Sequence, residues 1–106
     1  GGSRQAKSDT PGGDREFDRL SRQARSAFDL GQISRAIAGY EKALARAMIS
    51  DDHDAIVDTH YNLGVCHLRQ GDFTAALKNA NMAQKELQAA GRPVSADFLL
   101  LQAAAL

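Results

Sequence analysis

Large apolar residues and alanines recur along this chain at steps of three and four, and polar residues fill the positions between them. Phe17, Leu20, Ala24, Ala27 and Phe28 form the first such stripe, the pattern of an amphipathic helix that packs one face on a core. Asp14 stands where an N-cap is needed, and Gly31 where the chain must turn. A second stripe, Ala36, Ile37, Tyr40, Ala43, Leu44 and Ala47, predicts a helix from about Ser34 to Ile49. Ser50, Asp51 and Asp52 interrupt it and offer caps to a third helix, from about Asp54 to Gln70, which ends at Gly71. A fourth, from about Thr74 to Ala89, turns Ala76, Leu77, Ala80, Ala83 and Leu87 inward before Ala90-Gly91. Pro93 punctuates, and a fifth helix is expected from near Ser95 to the end. No stretch alternates at the two-residue period of a strand, so the expected class is all-α.

Before Asp14 the texture differs. Residues 1–13 hold glycine, proline and polar residues without one large apolar side chain, so they read as a flexible tether or a cloning remnant. The helical domain is placed at 14–106. It divides into a first unit at 17–49, a second at 54–90, and a partial third unit or cap at 95–106.

The stripes themselves repeat. Leu30-Gly-Gln-Ile-Ser-Arg-Ala-Ile37 lies over Gln70-Gly-Asp-Phe-Thr-Ala-Ala-Leu77 at a displacement of forty residues. The same shift lays Ala24 on Gly64, Tyr40 on Ala80, Ala43 on Ala83, and Ser34 on Thr74, the last pair read as N-caps. Carried once more, it lays His60 on Leu100, Leu63 on Ala103 and Gly64 on Ala104, making the fifth helix the opening helix of a third unit. A period of this length marks stacked helix hairpins. Each pair is too thin to bury its own apolar face, so neighbours share a core. Ala24, Gly64, Ala36, Ala76, Ala43 and Ala83 are small where helices must approach closely.

Tyr61-Asn-Leu-Gly64, Leu68-Arg-Gln-Gly-Asp-Phe73, Ala75-Ala-Leu77 and Ala83 together resemble a tetratricopeptide repeat. Gly31, Ile33, Ala36, Tyr40 and Ala43 fit it in the first unit, where Ala24 replaces the small glycine. The family's period is usually about 34 residues, so forty implies longer helices, as in its extended variants. Leu20 and His60 stand where the family has an aromatic, and its unit-ending proline is absent.

The resemblance implies a short right-handed α-solenoid of antiparallel helix pairs that binds a peptide or helix of a partner protein. It implies neither an enzyme nor a cofactor. Helical spacing nominates the first-helix residues of a concave groove. They are Asp18, Ser21, Arg25, Phe28 and Asp29 in the first unit, then Asp58, Tyr61, Asn62, Val65, Leu68 and Arg69 in the second. Two arginines among aromatic and aliphatic side chains suit an amphipathic or mildly acidic segment; the alternative is that several of these residues pack between units. Asn62 matches an asparagine that some family members use to hold a peptide backbone or terminal carboxylate. The lysines that complete that clamp have no counterpart, because Ser21 and Arg25 stand in their places. A second functional reading is self-assembly through the fifth helix, by way of Phe98, Leu99 and Leu101, or membership of a longer array.

Composition narrows the field further. Thirteen basic residues balance thirteen acidic ones, which removes net charge as a reason to bind nucleic acid or an anionic membrane. The apolar run at Phe98–Leu101 is too short to span a bilayer. No secretory h-region is present, and the compartment stays open between cytoplasm and, if the tether is a processed start, cell envelope. The lone Cys66 makes no internal disulfide. His53, His60 and His67 are seven apart, a rise of about 10 Å each, so neighbouring imidazoles do not share one metal ion. His60 and His67 read as packing residues, with a pH-sensitive contact as the alternative. Asp51, Asp52 and Asp54 read as helix caps, since the glycine and distal glutamate of a calcium loop are missing. Phosphate loops, the dinucleotide fingerprint and a nucleophile turn are absent. Arg4, Lys7, Arg15, Arg19, Arg22 and Arg25 make the first quarter locally positive. That reads as a solvated helix face, with an RNA or acidic-peptide contact as the alternative.

Overall fold

The computed structural model describes residues 14–91 and 96–106, with side-chain detail in the last helix from Leu99 onward. The tether at 1–13, the break at Pro93, the start at Ser95 and the side chain of Phe98 lie outside the described residues. Five helices follow one another: α1 (Arg15–Asp29), α2 (Ile33–Ile49), α3 (His53–Arg69), α4 (Phe73–Ala89) and α5 (Ala96–Ala105). No strand occurs among the described residues, and the fold is all-α.

The turns explain the boundaries. At the ends of α1 and α3 the chain swings left-handed at Gly31 (φ 78°) and Gly71 (φ 80°), a conformation that only glycine adopts without cost. The amides of Gln32 and Asp72 then return to the carbonyls of Ala27 and His67, at 2.8 and 2.9 Å, closing each helix end. After α2 the same geometry falls to Asp51 (φ 53°), and Asp52 N–H reaches the Ala47 carbonyl at 3.0 Å.

At the other ends, carboxylates cap. Asp14 Oδ1 accepts from the amides of Glu16 and Phe17, and Asp52 and Asp72 each accept from the amide three residues on. This corrects the expectation for Ser34 and Thr74, which lie inside the first turns of α2 and α4. Asp72, not Thr74, is correctly spaced to reach the Ala75 amide, while Gln32 precedes α2 without a side-chain cap. Ser34 Oγ accepts instead from Gln70 Nε2 at 3.1 Å, tying α2 to the end of α3.

Packing follows chain order, each helix against the next, with α3 also touching α5. The smallest dimension, 20 Å, is two helix diameters, so the array is two layers thick. α2 and α4 begin and end forty residues apart, as do the glycine turns before them. The main core lies between hairpins as well as within them. Leu63 and Cys66 of the second hairpin join Ala24, Ala27, Ala36 and Tyr40 of the first in one buried cluster. Ala55 and Ile56 likewise join Ala47, with Phe17 and Leu44 packed alongside. Neither hairpin has a complete core alone, which is the physical reason they stack.

Small residues set the approach. A Cβ on Gly39 would stand 2.9 Å from that of Ala24, so α1 and α2 meet nearly backbone to backbone. Forty residues on, the hairpin seam is polar: buried His60 donates from Nδ1 to Asn79 Oδ1 at 2.9 Å. The Asn79 amide donates to the Ala75 carbonyl, which fixes its oxygen as the acceptor.

The fifth helix departs from the expected register. His60, Leu63 and Gly64 are buried, yet Leu100, Ala103 and Ala104, forty residues later, are all exposed. α5 turns Leu101 and Ala105 inward instead. The Leu101 Cδ2 methyl fills the notch over Gly64, 2.7 Å from where a Cβ would be. The alanine at 103 is too small to fill the space that Leu63 fills, and a leucine over a glycine notch packs better. Leu101, expected at a self-association surface, is therefore a core residue, and Leu99 and Leu100 form the exposed ridge.

Candidate functional site

α1 and α3 both contribute side chains to one recess, and α2 closes it behind them. The result is a hollow of about 190 Å³ lined by Arg25, Phe28 and Asp29 of α1, Tyr40 of α2, and Tyr61, Asn62 and Val65 of α3. At its edge the Arg69 guanidinium lies over the Phe28 ring, 5.2 Å from the centroid, so the second hairpin grips the first by a cation–π contact. Arg25 Nε and Asp29 Oδ1, both lining the hollow, pair at 3.4 Å; both side chains are well exposed, and the pair adds little stability.

Of the residues nominated from sequence, Arg25, Phe28, Asp29, Tyr61, Asn62 and Val65 come together here. Arg69 reaches the site by covering Phe28. Ser21 and Leu68 are half-buried and Asp58 is exposed, and none of the three lines the hollow. Asp18 is exposed nearer the start of α1 and does not line it either.

Helical spacing marks Tyr40 only as a core residue, and it also forms the hollow's back wall. The missed signal is size. Its neighbours on the buried face, Ala36 and Ala43, are small, and a phenol among alanines extends through the seam toward the far side. Burial pushes the Tyr40 phenol above its usual pKa, helped by nearby Cys66 and opposed by Arg25, so it stays a neutral hydroxyl.

The chemistry available is that of contact. Burial pushes the Cys66 thiol up to about 11, against a weaker pull from Arg69, so it is a packed thiol and not a nucleophile. The three histidines are separated in role. His53 pairs with Glu86 and lies near Asp51, His60 bonds Asn79, and the Nδ1 of His67 is buried without a partner among the described residues. No cluster of three metal-ligating side chains occurs among the described residues, and no described helix is long and apolar enough to cross a membrane.

The family model for the tetratricopeptide repeat matches residues 19–85, from the first turns of α1 to the last turns of α4. No curated protein and no solved structure matches the chain.

Proposed function

The chain belongs to the tetratricopeptide repeat family, whose repeats generally mediate protein–protein interaction, and from that premise we propose that it holds a segment of a partner polypeptide in the hollow between α1 and α3. The observation that carries this reading is the meeting of residues from both repeats around one recess with mixed chemistry. Phe28, Tyr61 and Val65 offer apolar surface, Asn62 offers an amide that pairs with a peptide backbone, and Arg25 with Asp29 offers charge at the rim. Such a recess suits one face of an amphipathic or mildly acidic helix or extended strand. Arg69 is partly committed to Phe28, so its role is to set the aromatic wall as much as to meet the partner.

The test begins with a binder selected from a displayed peptide library against the full chain. Tyr61→Ala and Arg25→Glu should each weaken it at least tenfold, about 1.4 kcal/mol or more. Undiminished binding by both variants removes the hollow from consideration.

A second reading, self-association, is favoured by the exposed apolar ridge of α5, where Leu99 is 55% exposed and Leu100 69%. Light scattering on Leu99→Glu with Leu100→Glu decides it: the mass falls if copies associate through this ridge, and an unchanged mass discards it.

A further inference from the structure

The first repeat carries a second and larger recess that the hollow between α1 and α3 does not include. It is a trough of about 790 Å³ lined only by residues of α1 and α2. Ala24, Ala27 and Gly39 form its low floor, a consequence of the close approach of the two helices. Arg19 and Arg22 rise along one side, Arg35 and Lys42 along the other.

No acidic residue lines the trough. Glu16 engages Arg19 from beyond its edge, but among the described residues no carboxylate is within ion-pair distance of Arg22, Arg35 or Lys42. The whole chain is neutral, so this single sign is a segregation of charge and not a reflection of composition.

The corresponding face of the second repeat shows what is unusual. Thr59, Leu63 and Cys66, forty residues after Arg19, Gln23 and Ser26, are all buried, Leu63 and Cys66 in one cluster with the first repeat. An exposed face stays hydrated when it is polar, and interspersed charges of both signs meet that need. Cations alone, gathered around a recess, do more: they focus a positive potential on it.

The chemistry of the walls selects the ligand. Three of the four cations are guanidiniums, whose fork fits a carboxylate, and Arg19 already holds Glu16 by two bonds of 3.0 and 2.6 Å. No aromatic ring lines the trough to stack on a nucleobase. Leu20 and exposed Leu30 offer apolar contact beside the charges. We propose that this trough binds an aspartate- or glutamate-rich segment of a partner polypeptide that also carries aliphatic side chains.

A labelled peptide about ten residues long, alternating glutamate and leucine, is titrated into the full chain by fluorescence polarisation alongside its glutamine counterpart. The glutamate peptide is expected to bind at least tenfold more tightly, with affinity falling as salt rises. Arg22→Glu with Arg35→Glu, both exposed positions, should weaken it at least tenfold. Tyr61→Ala should leave it unchanged, which separates this surface from the hollow between α1 and α3. Amide shift mapping on the unaltered chain gives an independent reading, with perturbations expected along α1 and α2 only. Absence of binding, equal binding by the charge-reversed variant, perturbations centred on α3, or preference for a single-stranded oligonucleotide of equal charge overturns the proposal.

Discussion

Repeat one and repeat two share a hairpin, yet the same face of each meets a different environment. In repeat two that face carries Thr59, Leu63 and Cys66, all buried, and Leu63 and Cys66 enter the seam with repeat one. In repeat one the matching positions are Arg19, Gln23 and Ser26, and they remain exposed. Three side chains on one helix thus separate a face that stacks on its neighbour from one that stays exposed among the described residues. The backbone is almost indifferent to the choice: α2 and α4 have the same length, and both first helices end in the same glycine turn.

The most damaging way to break this contrast is to hollow out the seam. Leu63→Ala should cost about 2–4 kcal/mol in urea unfolding, because it removes a fully buried aliphatic side chain from a shared core. Gln23→Ala, its exposed counterpart, should stay within about 0.5 kcal/mol. Equal small losses at both sites would mean that the repeats do not share a core.

Glycines sharpen the comparison at a smaller scale. Gly39→Ala drives a methyl against Ala24, whose Cα is only 3.3 Å away and cannot yield. A net cost of about 1–2 kcal/mol is expected despite better helix propensity. At Gly64 the obstacle is the tip of the Leu101 side chain, which can turn aside. Gly64→Ala should leave global stability within about 0.5 kcal/mol while speeding hydrogen exchange in α5, as Leu101 loses its notch.

The subtlest difference lies in how each hairpin is fastened at its open end. In repeat one Asp14 Oδ2 accepts from Arg46 Nε at 2.7 Å and from Ser50 Oγ at 3.1 Å. In repeat two His53 pairs with Glu86, forty residues after Arg46, so the charges have changed places. Partial desolvation works against ionisation at Asp14, but the Phe17 amide, Arg46 and Ser50 outweigh it and hold the carboxyl below its usual range. Its contribution is therefore complete above the unfolded-state pKa and fades as the pH falls through the folded-state value. His53 is raised by its bond with Glu86, which outweighs an opposing desolvation, with Asp51 nearby adding to the rise. Its contribution is complete below the unfolded-state pKa and is lost as the pH rises through the folded-state value. Hydrogen exchange should show the α1 end loosening in acid and the α3 end loosening as the pH climbs past the raised histidine value. The same pH response at both ends would refute the exchange of charges.

How much of this was legible in the sequence depended on whether local chemistry sufficed. The glycine turns and alanine stripes announce the helices, because a left-handed turn and a close helix approach each admit few residue types. The cap falls at Asp72 and not at Thr74 because both residue types cap well, and only Asp72 is spaced to reach the Ala75 amide, while Ser34 lies inside the first turn of α2. The fifth helix was misregistered because translation by forty residues says nothing of side-chain volume, and the glycine notch selected Leu101 over Ala103. At the candidate site, helical periodicity found the α1 and α3 walls but not Tyr40, which arrives through the seam from α2. The basic trough was half visible as a run of arginines on α1; Arg35 and Lys42 join it only when the hairpin closes.

The seam between repeats underlies the hollow between α1 and α3, and a methyl-resolved NOESY spectrum tests it most directly. The account predicts cross-peaks from the Leu63 methyls to the alanine methyls of the first repeat, Ala24, Ala27 or Ala36, together with upfield-shifted Arg69 side-chain protons beneath the Phe28 ring. Leu63 cross-peaks confined to its own hairpin, with Arg69 at ordinary chemical shifts, would contradict it.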